Sequence, residues 1–345
     1  MAALRHRRPE LSPAVSTTQD GTAPGAAPGT ARGSAPGTVA VLGATGCVGR
    51  SVCDELLRTG HRVLGVARNP APHTRAHTFA ALDVAATAPE RLAGLLDRHG
   101  VGTVINASGG WGTTAEEMRH AHIDLVERLA DGCAASSRRV RIVQMGSIHE
   151  YGPVPDGVLI DEHRAPGPLT AYGLTKRTGS EHLLAQTRAG RVDGVVLRAV
   201  NVCGPHTTAA SFLGAVVARL RALRPGDVLT LDVADARRDF VDVRDLARAA
   251  VAAVHAPVTG LVVNIGRGEA VPMRALVEAL LHAAGVDGTS VRLNSAEVAS
   301  KGGGWTCADI RFAARVLGWR PTVPLSASVR AMWETTAGTT SLEVS

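Results

Sequence analysis

Short apolar, β-branched runs recur along the chain from Thr38, and most are followed by a longer stretch with apolar positions three and four residues apart. The runs Thr38–Leu42, Arg62–Ala67, Thr78–Leu82, Gly102–Asn106, Val140–Met145 and Gly194–Arg198 predict strands. The stretches Val48–Arg58, Pro89–Arg98, Thr114–Ala135 and Ala171–Ala189 predict helices. A helix between two strands returns the chain parallel to its start, so this alternation implies an α/β fold with a doubly wound parallel sheet over residues 38–200. After Asn201 the pattern loosens into helices with a few short strands. Residues 201–338 are therefore expected to form a smaller lobe interleaved with the core. Residues 1–37 are dominated by Ala, Pro, Gly, Thr and Ser, a composition that buries too little apolar surface to offset chain entropy, and a disordered segment without chemistry is expected there.

Composition removes several function classes. The five cysteines (Cys47, Cys53, Cys133, Cys203, Cys307) include no C-x-x-C pair, which points to reduced thiols in a cytoplasm. No run approaches the ~20 apolar residues of a membrane helix, and no apolar stretch follows Arg7-Arg8, so neither a membrane nor a secretory signal is expected. The net charge of +6 is spread along the chain and aromatics make up only 3%, which argues against a nucleic-acid partner. The pairs His73/His77 and His120/His122 come without an HExxH motif or a carboxylate cluster, so no metal is expected.

The first strand runs into Gly43-Ala44-Thr45-Gly46-Cys47-Val48-Gly49, with glycine at every third position where a strand becomes a helix. One glycine permits the turn, one lets a pyrophosphate approach the backbone, and one lets the helix pack closely, while the helix N-terminus attracts the anion. In its strand–turn–helix context this predicts a Rossmann-type dinucleotide site formed by Gly43, Thr45, Gly46, Cys47, Val48 and Gly49. Asp83 and Val84 after the third strand and Ala107 after the fourth are expected to complete it. An acidic residue ending the second strand would hold a ribose 2′-hydroxyl, but the sequence there reads Ala67-Arg68. Arg68 can pair with a 2′-phosphate, so NADP(H) is expected over NAD(H), with Arg50 as a second phosphate partner; a solvated loop is the alternative role for Arg68.

The chain has two tyrosines and two lysines, and one of each forms Tyr172-Gly173-Leu174-Thr175-Lys176. At i and i+4 on a helix they share one face. A free phenol has a pKa of ~10, and a neighbouring ammonium is expected to lower it and make it a usable acid. Met145-Gly146-Ser147 ends the fifth strand, at the edge where parallel sheets bind ligands, so Ser147 is expected to hydrogen-bond a substrate carbonyl.

With these residues the sequence resembles the extended short-chain dehydrogenase/reductase family of nucleotide-sugar epimerases, dehydratases and reductases. The resemblance spans about Thr38 to Trp333 and rests on Gly43/Gly46/Gly49, Ser147, Tyr151-Gly152, Tyr172/Lys176, Leu197-Arg198 with Asn201 and Gly204-Pro205, Arg238–Val243 with Asp245, and Leu317-Gly318-Trp319 before Pro321. It implies catalysis by Ser147, Tyr172 and Lys176, with Lys176 also on the cofactor's ribose and Ser147 and Tyr172 on the substrate's keto oxygen, diphosphate contacts from Asn201 and Arg238, and a substrate-binding role for the C-terminal lobe. It also leaves room for a homodimer. The dehydratases carry an Asp-Glu pair where this chain has Ile148 and His149, so dehydration is not expected. Similarity to the ketoreductases of dTDP-deoxysugars implies NADPH-dependent reduction of a keto group, at C4, of a dTDP-keto-6-deoxysugar. A nucleotide-sugar 4-epimerase uses the same residues, and a non-catalytic dinucleotide sensor or scaffold is the alternative of another class.

Overall fold

The computed structural model describes residues 37–110, 112, 114–286, 290–296 and 303–336, so the expectation for the N-terminal segment lies, but for Gly37, outside the described residues. In chain order the first half contains β1 (Thr38–Leu42), α1 (Cys47–Arg58), β2 (Arg62–Ala67), β3 (Thr78–Ala81), α2 (Pro89–Arg98), β4 (Val101–Asn106), α3 (Ala115–Arg119), a π-helical turn (His120–Asp124), α4 (Leu125–Ala134), β5 (Arg141–Ser147), α5 (Ala171–Arg188) and β6 (Asp193–Ala199). The second half contains β7 (Asn201–Cys203), α6 (Phe212–Arg221), β8 (Leu229–Ala234), β9 (Arg237–Asp242), α7 (Val243–His255), β10 (Val262–Ile265), β11 (Ala270–Pro272), α8 (Met273–Ala284), β12 (Val291–Ala296), β13 (Trp305–Thr306), α9 (Arg311–Leu317) and α10 (Leu325–Thr336).

Seven strands form one parallel sheet in the order β10-β6-β5-β4-β1-β2-β3. Apart from the edge strand β3, its strands are largely buried on both faces, as crossover helices require, and their near-continuous apolar runs are the sequence counterpart of that burial. The order reverses between β1 and β4, so the ends of β1, β4 and β5 open onto the crevice where such sheets bind ligands. The lobe has its own core, built from α6, α8 and α10 with Leu231, Val233 and Phe240 of β8 and β9.

The chain does not leave the sheet for good at residue 200. β10 pairs with β6 at the sheet edge, and α7 packs against α1, so core and lobe are parts of one compact unit, Pro36–Ser345. The acidic residues of the Arg238–Asp245 motif hold this connection. Asp242 caps α7 by accepting from Arg244 N at 2.8 Å. Buried Asp245 accepts from the backbone N–H of Thr322 and Val323, both at 3.0 Å, while its own carbonyl takes the Trp319 indole N–H. Asp239 likewise accepts from the N–H of Arg267, Gly268 and Ala308.

The glycine turn depends on two missing side chains. Gly43 has φ +73°, and a Cβ there would meet Ser108 Oγ at 2.9 Å. A Cβ on Gly49 would lie 2.0 Å from the Gly43 carbonyl oxygen, so only glycine lets α1 pack this closely on the turn. Gly49→Ala is expected to cost about 1–3 kcal/mol through this backbone collision. The loss should lower the urea midpoint at unchanged m value; an unchanged midpoint would show that α1 moves aside freely.

Candidate active site

Three elements meet at the switch point. β1 delivers the glycine turn, β5 ends in Ser147, and α5 presents Tyr172 and Lys176 on one face. α5 starts where it does because the Thr170 hydroxyl accepts from Gly173 N. The Tyr172 hydroxyl is hydrogen-bonded to Ser147, whose Oγ also accepts from His149 N at 3.2 Å. Lys176 is buried under this pair and donates from Nζ to the Met145 carbonyl at 2.7 Å.

A cleft of about 690 Å³ opens beside them, lined by Cys47 and Val48 of α1, by Ser147, His149 and Tyr172, and by Asn201, Arg238, Phe212 and Phe240. The structure brings Cys47, Val48, Ser147, Tyr172, Asn201 and Arg238 to one cavity. Asn201 is oriented by a 3.1 Å bond from Nδ2 to the Asp239 carbonyl, and Arg238 by a 2.6 Å bond from Nη2 to the Gly303 carbonyl. Burial lowers the Arg238 pKa. Burial pushes the Cys47 thiol up to about 11, so it is an inert wall of the cleft and no nucleophile.

The remaining predicted dinucleotide contacts are distributed differently. Thr45 and Gly46 sit in the turn, and Ala107 lies beside it, its N–H on the Leu42 carbonyl. Val84 is buried core. Asp83 accepts from Ala85 N at 3.1 Å and bonds the His120 ring at 3.2 Å, so this carboxylate already orders its own loop. Arg68 stands exposed one residue past the end of β2. Arg50 Nε is buried with no hydrogen-bond partner among the described residues. The start of α1 at the glycine turn and the unpartnered Arg50 Nε fit a dinucleotide phosphate.

The electrostatics correct one expectation. The phenol of Tyr172 is not brought down by Lys176; burial dominates and pushes it up to about 12, with the Ser147 hydrogen bond acting in the opposite direction. Lys176 itself is pulled down to about 8 by burial, against a raising influence from Glu150.

Two site residues escaped the sequence. His122 lies in the π-helical turn, its ring edge-on to Tyr172 at 5.3 Å. Its Nε2 contacts the Gly109 and Gly110 carbonyls and its Nδ1 the Thr175 hydroxyl, tying the segment after β4 to α5. Burial and Lys176 lower its pKa to about 4, so it is neutral at physiological pH. Glu150 lies fully buried behind Ser147. The sequence shows it only as a carboxylate three residues past Ser147, with nothing to mark it as buried.

The profile of the NAD dependent epimerase/dehydratase family matches residues 39–266. The dTDP-6-deoxy-L-talose 4-dehydrogenase (NAD(P)(+)) of Kitasatospora kifunensis is 37% identical over 299 residues, 86% of this chain and 94% of that protein. Among solved structures, MoeE5 in complex with UDP-glucuronic acid and NAD superposes with a TM-score of 0.76 at 26% identity, covering 87% of this chain and 99% of that one. UDP-glucose 4-epimerase of Thermotoga maritima, with UDP-glucose, gives 0.77 at 21% identity, covering 88% and 99%, a likeness of fold.

The lowered Lys176 pKa is directly measurable. Lys176 and Lys301 are the two lysines of the chain, so Lys301→Arg leaves one ¹⁵Nζ resonance in labelled protein. Its NMR titration is expected to centre near pH 8. A midpoint near the usual ~10.4 would show that the ammonium is not desolvated.

Proposed function

Because the chain belongs to the NAD-dependent epimerase/dehydratase family and is a nucleotide-sugar-modifying enzyme of that kind, we propose that it reduces the keto group, at C4, of a dTDP-keto-6-deoxysugar with NADPH. The observation that carries this reading is the hydrogen-bonded Ser147–Tyr172 pair, set over Lys176 and facing a cleft that Asn201 and Arg238 also line. The Kitasatospora relative is a 4-dehydrogenase, and a 4-dehydrogenation run in reverse is a 4-keto reduction. Dehydration lacks its acid and base: Ile148 is buried in the core, and His149 stands where the second carboxylate would be.

When bound, the reduced nicotinamide supplies the hydride. Ser147 and Tyr172 hydrogen-bond the keto oxygen, and Tyr172 donates its proton to that oxygen as negative charge develops there. A phenol held near 12 remains protonated at neutral pH and so is ready to donate. Lys176, fixed on the Met145 carbonyl, places positive charge beneath the resulting phenolate. Arg238 and Asn201 anchor the diphosphate and orient the sugar over the pair. Arg50 and Arg68 are the residues suited to a 2′-phosphate, which favours NADPH over NADH.

Incubation with NADPH and a panel of dTDP-4-keto-6-deoxysugars should give an alcohol with consumption of NADPH. Turnover without added NADPH, on a retained oxidised cofactor, would instead mark a 4-epimerase. Tyr172→Phe keeps the ring and removes the proton, so kcat should fall by about 10²–10⁴-fold with little change in NADPH affinity; near-normal kcat in the folded variant would remove Tyr172 as the proton donor, whereas absence of turnover in the unaltered protein with bound NADPH would favour a sensor or scaffold. Arg68→Ala should weaken NADPH binding, read by fluorescence titration, well beyond any change for NADH. Equal losses would remove Arg68 from the 2′-phosphate site.

A further inference from the structure

A charged layer lies beneath the Ser147–Tyr172 pair. Glu150 follows Ser147 in the short 3-10 turn Ile148–Tyr151 and is 0% exposed. Its Oε1 accepts from Ser147 N–H at 2.8 Å and from the Ser180 hydroxyl of α5 at 3.0 Å. Its Oε2 accepts from Arg198 Nε of β6 at 2.7 Å, and that guanidinium sits 4.4 Å above the Tyr151 ring. Gly146, opposite Arg198 in the sheet, makes the room: a Cβ there would lie 2.7 Å from Glu150 Oε1. One carboxylate therefore joins the end of β5 to both neighbouring elements, α5 and β6.

Stability does not explain this arrangement. Desolvating two charges costs about as much as their attraction returns, and apolar side chains often fill such a space as well or better. We propose that Glu150 is a positioning residue for the catalytic group: it fixes the backbone that presents Ser147 and supplies the buried negative charge that Lys176 faces. The inference rests on the reading of Ser147, Tyr172 and Lys176 as that group.

The titratable and charged groups gathered around Lys176 come from several elements: Glu150 from the turn after β5, Arg198 from β6, His122 from the π-helical turn, and Tyr172 from α5 itself. His122 is neutral above about pH 4 and Tyr172 below about pH 12. Glu150 is then the anion of this set, and its charge opposes the burial that would strip Lys176 of its proton. Arg198 neutralises the carboxylate only in part, because it binds the other oxygen.

The test is Glu150→Gln, which preserves shape and acceptor oxygen but removes the charge. The Lys176 ¹⁵Nζ midpoint should move to lower pH, and the alkaline limb of kcat/KM should move with it. A shift of one unit gives a roughly tenfold loss on that limb, with little loss well below it. A merely structural role would lower the melting temperature and leave both midpoints in place. Should Arg198, left unpaired, prevent folding, Glu150→Gln/Arg198→Met removes both charges, and a smaller shift in the same downward direction is expected, because the guanidinium offset only part of the carboxylate's charge. Unmoved midpoints in either folded variant overturn the proposal. Retained turnover in Tyr172→Phe would overturn the catalytic reading instead, and the NMR midpoint would still decide the charge effect of Glu150.

Discussion

The bond from Lys176 Nζ to the Met145 carbonyl is the contact on which the site depends. It joins α5, which carries the tyrosine, to the end of β5, which carries the serine. An ammonium buried this deeply must satisfy its donors, and an unpaired one would cost several kcal/mol. The chain meets that demand with a backbone acceptor at the end of β5 and with a carboxylate nearby. The consequence is a Ser147 hydroxyl within reach of the Tyr172 phenol, in a place where both face the cleft.

Around this contact the fold divides its labour. The parallel sheet brings the ends of β1 and β5 to either side of β4 at one edge, and the glycine turn lets α1 approach without side-chain interference. Arg238 and Asn201 come from β9 and β7, two strands that pair directly with each other. Three aspartates of the same segment never reach the cleft as ligand groups. Asp239, Asp242 and Asp245 instead collect backbone N–H groups from loops and from the start of α7. Burial raises the Asp239 pKa to about 6 even with three N–H donors, so this carboxylate bears a desolvation cost for holding the loops that frame Arg238.

Buried charge elsewhere in the protein is distributed in the same way. Arg141 at the start of β5 pairs with Asp193 and donates to the carbonyls of Ala253, Ala256 and Val258, closing the C-terminal end of α7 against the sheet. That anchor lies at the opposite end of β5 from Ser147. A strand fixed at both ends by charged groups gives its C-terminal residues little freedom, which suits the role proposed for the Ser147 hydroxyl.

The sequence alone determined the elements and much of the site. The six strands expected from Thr38 to Arg198 all form, within a residue or two at their ends, because burial on both faces of a parallel sheet writes itself as short β-branched runs. Gly43, Gly46 and Gly49, Ser147, and Tyr172 with Lys176 were legible because each spacing maps onto one local geometry: a turn, a strand end, one helix face. What sequence spacing does not encode is which groups from distant segments lose their water together. The return of β10 to the main sheet, the Asp83–His120 contact, His122 against Tyr172 and Glu150 between Ser147 and Arg198 all join residues from separate elements. The direction of the Tyr172 shift belongs to the same class. An i, i+4 lysine argues for a lowered phenol, but desolvation scales with everything packed around the ring, and only the tertiary structure sets that.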